Sequence, residues 1–139
     1  MKKSTLLNSE ISYLVSTLGH TDETTVCDAG LPIPDEVQRI DLALTHGVPS
    51  FIATVKVMLD EAQFEGVIMA EEFAQVSPEL HQQLCHLLEE EQQRTGKTIT
   101  ISYISHEQFK QRTAQSKAVI RTGECTPYAN VIFQSGVVF

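Results

Sequence analysis

The chain has 139 residues, 42% hydrophobic and 20% charged, with a formal net charge of −8 at pH 7. These values fit one folded soluble domain spanning residues 1–139, and the acidic balance argues against nucleic acid or an anionic membrane surface as partner. Cys27, Cys85 and Cys125 are odd in number, widely spaced and lack a CxxC pair, so reduced thiols are expected, not a disulfide frame or a zinc site. No apolar run approaches the roughly 18 residues of a membrane span. Met1-Lys2-Lys3-Ser4-Thr5-Leu6-Leu7-Asn8 lacks the long apolar core of an export signal, so a cytoplasmic protein is expected.

The first predicted element is a helix over Ser9 to Leu18, with Ile11, Leu14, Val15 and Leu18 at helical spacing, Ser9 as N-cap and Gly19 as stop. Thr24 to Cys27 reads as a short buried strand. Arg39 to Leu44, alternating at Ile40, Leu42 and Leu44, reads as a second. After Gly47-Val48-Pro49, the segment from Ser50 to about Ala62 places Phe51, Val55, Met58 and Leu59 on a helical face. Phe64 to Ala70 is apolar enough for a strand covered on both sides. Ser77-Pro78-Glu79-Leu80, with Ser77 as cap residue and Pro78 at the first helical position, opens a helix that runs through Leu84, Leu87 and Leu88 to near Gly96. Thr98 to Ile104 is β-branched and alternating, and Ser105 with Gln108 three residues on makes a capping box. Lys117 to Arg121 and Val131 to Phe133 complete the strands. The pattern predicts an α/β fold of three layers, α/β/α, around a mostly parallel sheet of about six strands.

The segment Gly19 to Pro34 holds the densest chemistry. His20 follows the helix-ending glycine, and histidine both takes and gives a proton near neutral pH. Asp28 follows a strand at its carboxyl end, where open α/β sheets bind ligands, and the prolines Pro32 and Pro34 stiffen the loop after it. His106 and the group Tyr128-Ala129-Asn130 also fall beside strand ends. A phenol, an amide and an imidazole supply the mixed donors and acceptors that a polyhydroxylated ligand needs. For each of these positions, an ordinary structural role stands beside the functional one.

Other polar groups point elsewhere. His81 and His86 are five apart and miss the spacing of a helical metal pair, so both are expected in solvent. His46 reads as a turn residue that could border the site. Cys125 lies in a loop without a neighbouring histidine to activate it. Glu89-Glu90-Glu91 reads as a solvated helix face, and there is no P-loop, GxGxxG or GxSxG. One geometric conflict remains. A strand over Thr24 to Cys27 would carry Asp28 more than about 10 Å from His20. Either Thr21-Asp22-Glu23 doubles back along that strand, or His20 serves a site completed by another subunit.

Taken in order, the segments Asn8-Ser9, Gly19 to Thr21, Cys27 to Pro34, Arg39-Ile40-Asp41, Gly47 to Phe51, His106 to Lys110, Val119 to Glu124, Pro127 to Asn130 and Ser135 to Val137 resemble the ribose pyranase and fucose mutarotase family. The resemblance runs nearly end to end. It implies an isomerase that opens the cyclic hemiacetal of D-ribose and recloses it, converting the β-pyranose into the β-furanose without metal or cofactor. It further implies that His20 is the proton donor, that Asp28, His106, Tyr128, Ala129 and Asn130 contact the sugar, and that the chain assembles as a ring-shaped homo-oligomer, commonly a decamer. Three alternatives stay open: a sugar-binding or transporter-associated module without turnover, a mutarotase for a related sugar such as fucose, and an interaction protein whose polar loops only build an oligomer.

Overall fold

The computed structural model describes residues 1–139. Helix α1 spans Ser9–Thr17, and strand β1 follows at Glu23–Cys27. Strand β2 is Gln38–Asp41, α2 Phe51–Glu61, β3 Phe64–Ala70, α3 Glu71–Val76 and α4 Pro78–Thr95. Strand β4 is Thr100–Ile104, α5 His106–Arg112, β5 Ala118–Arg121 and β6 Val131–Ser135.

The sheet order is β2-β5-β1-β6-β3-β4. Strand β5 pairs parallel with both β1 and β2, and β3 pairs parallel with β4. Strand β6 pairs antiparallel with β1 and β3. Five strands therefore share one direction and β6 alone opposes them. This inversion matters for the site, because it brings the residues that precede β6 to the carboxyl end of β1, where Val131 is paired with Val26.

Alternation along the strands separates two apolar layers. Val26, Ile40, Val67, Met69, Ile120, Val131 and Phe133 face α1 to α4, and the Phe64 and Phe133 rings stack at 4.4 Å between centroids. Cys27, Ile68, Val119 and Ile132 face Phe109 of α5 and the loop residues Leu31 and Val37. Helices thus cover both faces, as the α/β/α reading requires, with four on one side and one helix plus a loop on the other.

Several helix ends differ from the sequence expectation for identifiable reasons. Asn8, not Ser9, caps α1, since its Oδ1 accepts the Ile11 N–H at 2.9 Å. Ser77 precedes α4 but does not cap it: its hydroxyl donates to the Pro127 carbonyl at 2.7 Å, tying the helix to the loop before β6. Strand β2 stops at Asp41, not Leu44, because the Asp41 carboxylate accepts the Ala43 N–H and turns the chain. Helix α3 lies where the sequence pattern predicts no element. The capping box at Ser105 and Gln108 forms in both directions, and Gly96 ends α4 with φ 70. The expectation of a solvated acidic face on α4 fails at Glu91, which is buried and held by Arg94. His81 is likewise half-buried and not free in solvent: its Nε2 lies 2.7 Å from the Tyr103 hydroxyl.

Candidate functional site

Asp28 is the first residue beyond β1, at the carboxyl end of the sheet. Its carboxylate accepts the Gly30 N–H at 2.9 Å through Oδ1 and the Asn130 amide at 3.1 Å through Oδ2. Its backbone N–H donates to Asn130 Oδ1 at 2.8 Å. Asn130 is fully buried, so its side chain acts as a clamp on Asp28, engaged by donor and acceptor together. Burial pushes the Asp28 carboxyl above the usual carboxylate range, against the opposing pull of the hydrogen bonds and of the nearby His106.

His106 opens α5 just past β4, and its backbone N–H donates to Glu72 at 2.9 Å. Its ring meets the Tyr128 ring edge to face, with centroids 4.8 Å apart. His106 Nδ1 is buried without a hydrogen-bond partner, which leaves one ring nitrogen free for a ligand. Tyr128 takes a left-handed φ of 62, uncommon for a bulky residue and characteristic of sites where a side chain is aimed under constraint. Ala129 beneath it is fully buried. Asp28, His106, Tyr128, Ala129 and Asn130 therefore share one end of the sheet. A cleft of about 400 Å³ opens beside Asp28, between Ala29-Gly30 and Glu124 to Pro127, with Cys125 exposed on its wall.

The loop walls are fixed from behind. Glu124 accepts the Phe51 N–H at 3.1 Å with one oxygen and the Thr126 hydroxyl at 2.8 Å with the other, coupling the start of α2 to the cleft. A methyl group at Gly123 would collide with the Thr45 and Val48 backbone, so only glycine lets the two loops touch there. His46 lines a neighbouring cleft with Arg121 and Cys125, close to the site but outside the Asp28 cluster.

His20 lies elsewhere. The Thr21 N–H donates to the Ser135 carbonyl at 2.8 Å, which pins the turn to the carboxyl end of β6 and hence to the amino end of β1. The His20 ring is exposed there, with Nε2 at 2.9 Å from the Glu65 carboxylate. The five residues of β1 then separate it from Asp28 by about 16 Å along the strand. The chain does not double back, and the first of the two geometric possibilities fails.

Sequence reading missed Glu65, Glu72 and Glu124. Glu65 carried a signal, as the one acidic residue inside an otherwise apolar strand. Glu72 had a weaker one in the Glu71-Glu72 pair that follows that strand. No group of three or more His, Cys, Asp or Glu side chains is arranged to hold a metal ion, and no helix is long and apolar enough to cross a membrane.

Comparison with known proteins places this geometry in a family. Residues 1–138 match the model of the RbsD / FucU transport protein family. A D-ribose pyranase of Vibrio cholerae is 76% identical over 139 residues, the full length of both chains. The structure of Bacillus subtilis RbsD complexed with D-ribose superposes with a TM-score of 0.90 at 46% identity, each chain covered completely. A fucose mutarotase from Streptococcus pneumoniae, in complex with L-fucose, shares the fold at a TM-score of 0.74 and 20% identity, over 95% of this chain and 94% of that one. The chain belongs to the RbsD / FucU transport protein family.

Proposed function

We propose that this protein interconverts the β-pyranose and β-furanose forms of D-ribose, with His20 as the proton donor and Asp28, His106 and Tyr128 to Asn130 forming the sugar site. The observation that carries the reading is the cluster at the carboxyl end of the sheet, where Asp28, clamped by Asn130, borders a cleft and feels the charge of His106, whose ring meets that of Tyr128, in a chain 76% identical to a D-ribose pyranase along its whole length. His20 stands at the opposite end of the sheet from that cluster. The site is therefore shared: His20 of one copy meets the Asp28 cluster of another.

The chemistry needs one acid and one base. The Asp28 carboxylate, whose burial favours the protonated form, takes the proton of the anomeric hydroxyl. The His20 imidazolium protonates the ring oxygen as the C1–O5 bond breaks, giving the open aldehyde. After rotation, the 4-hydroxyl adds to C1 and returns its proton to the neutral imidazole, while the carbonyl oxygen regains a proton from Asp28. The proton count closes with no net change. Tyr128 and the free Nδ1 of His106 orient the hydroxyls. Asn130 acts through Asp28, because its side-chain oxygen and nitrogen are both engaged there. The three cysteines are free thiols, in keeping with a cytoplasmic location. The assembly we propose is the homo-oligomeric ring that the resemblance implies, a decamer.

Magnetisation-exchange spectroscopy of ribose anomers tests the reading. His20→Ala is expected to slow pyranose–furanose exchange by about 10² to 10⁴-fold, with circular dichroism and light scattering unchanged. Wild-type exchange in that folded, assembled variant would remove His20 from the mechanism. Ribose binding by the wild-type protein with no acceleration of exchange would instead mark a binding module.

A further inference from the structure

We propose that Glu65 is a positioning residue for His20: its carboxylate takes the Nε2–H, so that Nδ1 is the ring atom that exchanges protons with the sugar. This rests on the donor role proposed for His20. Both carboxylate oxygens lie within bonding distance of Nε2, at 3.1 and 2.9 Å. The bond one imidazole nitrogen makes decides which tautomer the neutral ring adopts.

A backbone irregularity aims this carboxylate. Strand β3 pairs Phe64 with Ser135 and Gly66 with Gln134, two adjacent partners on β6, so Glu65 is the extra residue of a β-bulge. Bulges redirect one side chain out of the regular alternation and recur beside functional sites. The bulge sits against the turn that holds His20, since Ser135 also accepts the Thr21 N–H. The neighbouring charges are otherwise committed. Asp22 accepts the Gly19 N–H at 2.8 Å and pairs with Lys117 at 3.5 Å. Glu23 is buried and bound by Arg112 and Gln134. Glu65 is the carboxylate bonded to the ring. With Nε2–H held, an imidazolium that gives up its Nδ1 proton relaxes into the tautomer already favoured, and the lone pair left on Nδ1 is aimed to take the next proton.

The test compares Glu65→Ala, Glu65→Gln and His20→Ala in the assembled protein. Glu65→Ala is expected to lower kcat for ribose exchange about tenfold or more while KM moves less than about twofold. Glu65→Gln, whose amide oxygen accepts the same N–H, is expected to recover most of the loss. Histidine ¹⁵N spectra, with His20→Ala supplying the assignment, are expected to show the Nε2–H form of neutral His20 in the wild type and a mixture in Glu65→Ala. Wild-type kcat in Glu65→Ala, a change confined to KM, or an Nδ1–H ring in the wild type would each overturn the proposal. If His20→Ala is slowed while Glu65→Ala keeps wild-type kcat, the positioning role fails and the functional reading stands. Wild-type exchange in His20→Ala brings down the functional reading itself.

Discussion

Asp28 is held where a carboxylate is poorly solvated, and that placement has a measurable consequence for stability. Its carboxyl lies above the usual carboxylate range because burial disfavours the charge more than Gly30, Asn130, Leu31 and His106 favour it. Between the unfolded value and the raised folded one, the native state holds a proton that the unfolded chain has released. Stability therefore falls as pH rises through that window and is flat below and above it. Asp28→Asn has no such proton to lose. Denaturant midpoints for both proteins from about pH 3 to about pH 7 are expected to move against the wild type with rising pH. A constant difference would mean that the hydrogen bonds to Asp28 balance its burial, and one that grows in the wild type's favour that they outweigh it. The same clamp explains why Asn130 looked in sequence like any polar residue able to bind a sugar. Its type was legible, but a pairing with a residue 102 positions away was not.

The elements carry their own lesson about what a sequence exposes. Strands β1, β3 and β5 and helices α1, α2 and α4 follow from apolar period and local caps, and the structure keeps them within a few residues. The failures are those in which a side chain found a partner that period and cap rules do not name, distant for Ser77 and three residues away for Glu91. Ser77 spends its hydroxyl on Pro127 instead of on its own helix, and Glu91 leaves the acidic face of α4 to be buried against Arg94. Helix α3 has only six residues and no side-chain cap, too little pattern to read. A tertiary partner, as at Ser77, also fixes α5, the element that presents His106. Its last residue, Arg112, binds the buried Glu23 at 2.9 Å and so ties the helix to the start of β1. Arg112→Ala would leave that buried carboxylate with the Gln134 amide as its side-chain partner, and because Arg112 is partly exposed a loss of about 1–2 kcal/mol is expected. Glu23→Gln combined with Arg112→Ala is expected to recover part of it, because the stranded charge is gone. Equal losses in the single and double variants, measured by denaturant unfolding, would mean that the pair contributes nothing through charge.

At the scale of the whole molecule, the decisive fact is that the two halves of the proposed site sit at opposite ends of one sheet. His20 is exposed at the amino end of β1 and pinned to Ser135. The Asp28 cluster is built at the carboxyl end, where β6 returns antiparallel and delivers Tyr128, Ala129 and Asn130. No hinge within β1 can close that gap, because all five of its residues are buried and laddered to β5 or β6. A second copy must bring the missing half. If one end of the sheet docks on the other end of the next copy, the contact is head to tail and gives a ring where its rotation closes and a filament where it does not, whereas mutual docking of both ends gives a dimer. Light scattering separates these outcomes by mass. Sharing itself is tested by mixing. His20→Ala lacks one half of the site and Asp28→Asn the other, and each alone is expected to be nearly inactive. Dissociated, mixed in equal amounts and reassembled, they are expected to regain about one quarter of wild-type exchange, since about one interface in four joins an intact His20 to an intact Asp28. Dilution below the assembly concentration is expected to abolish the recovered activity. Mixtures that reassemble fully yet stay inactive, or a folded monomer with full activity, would put both halves in one chain and contradict the shared site.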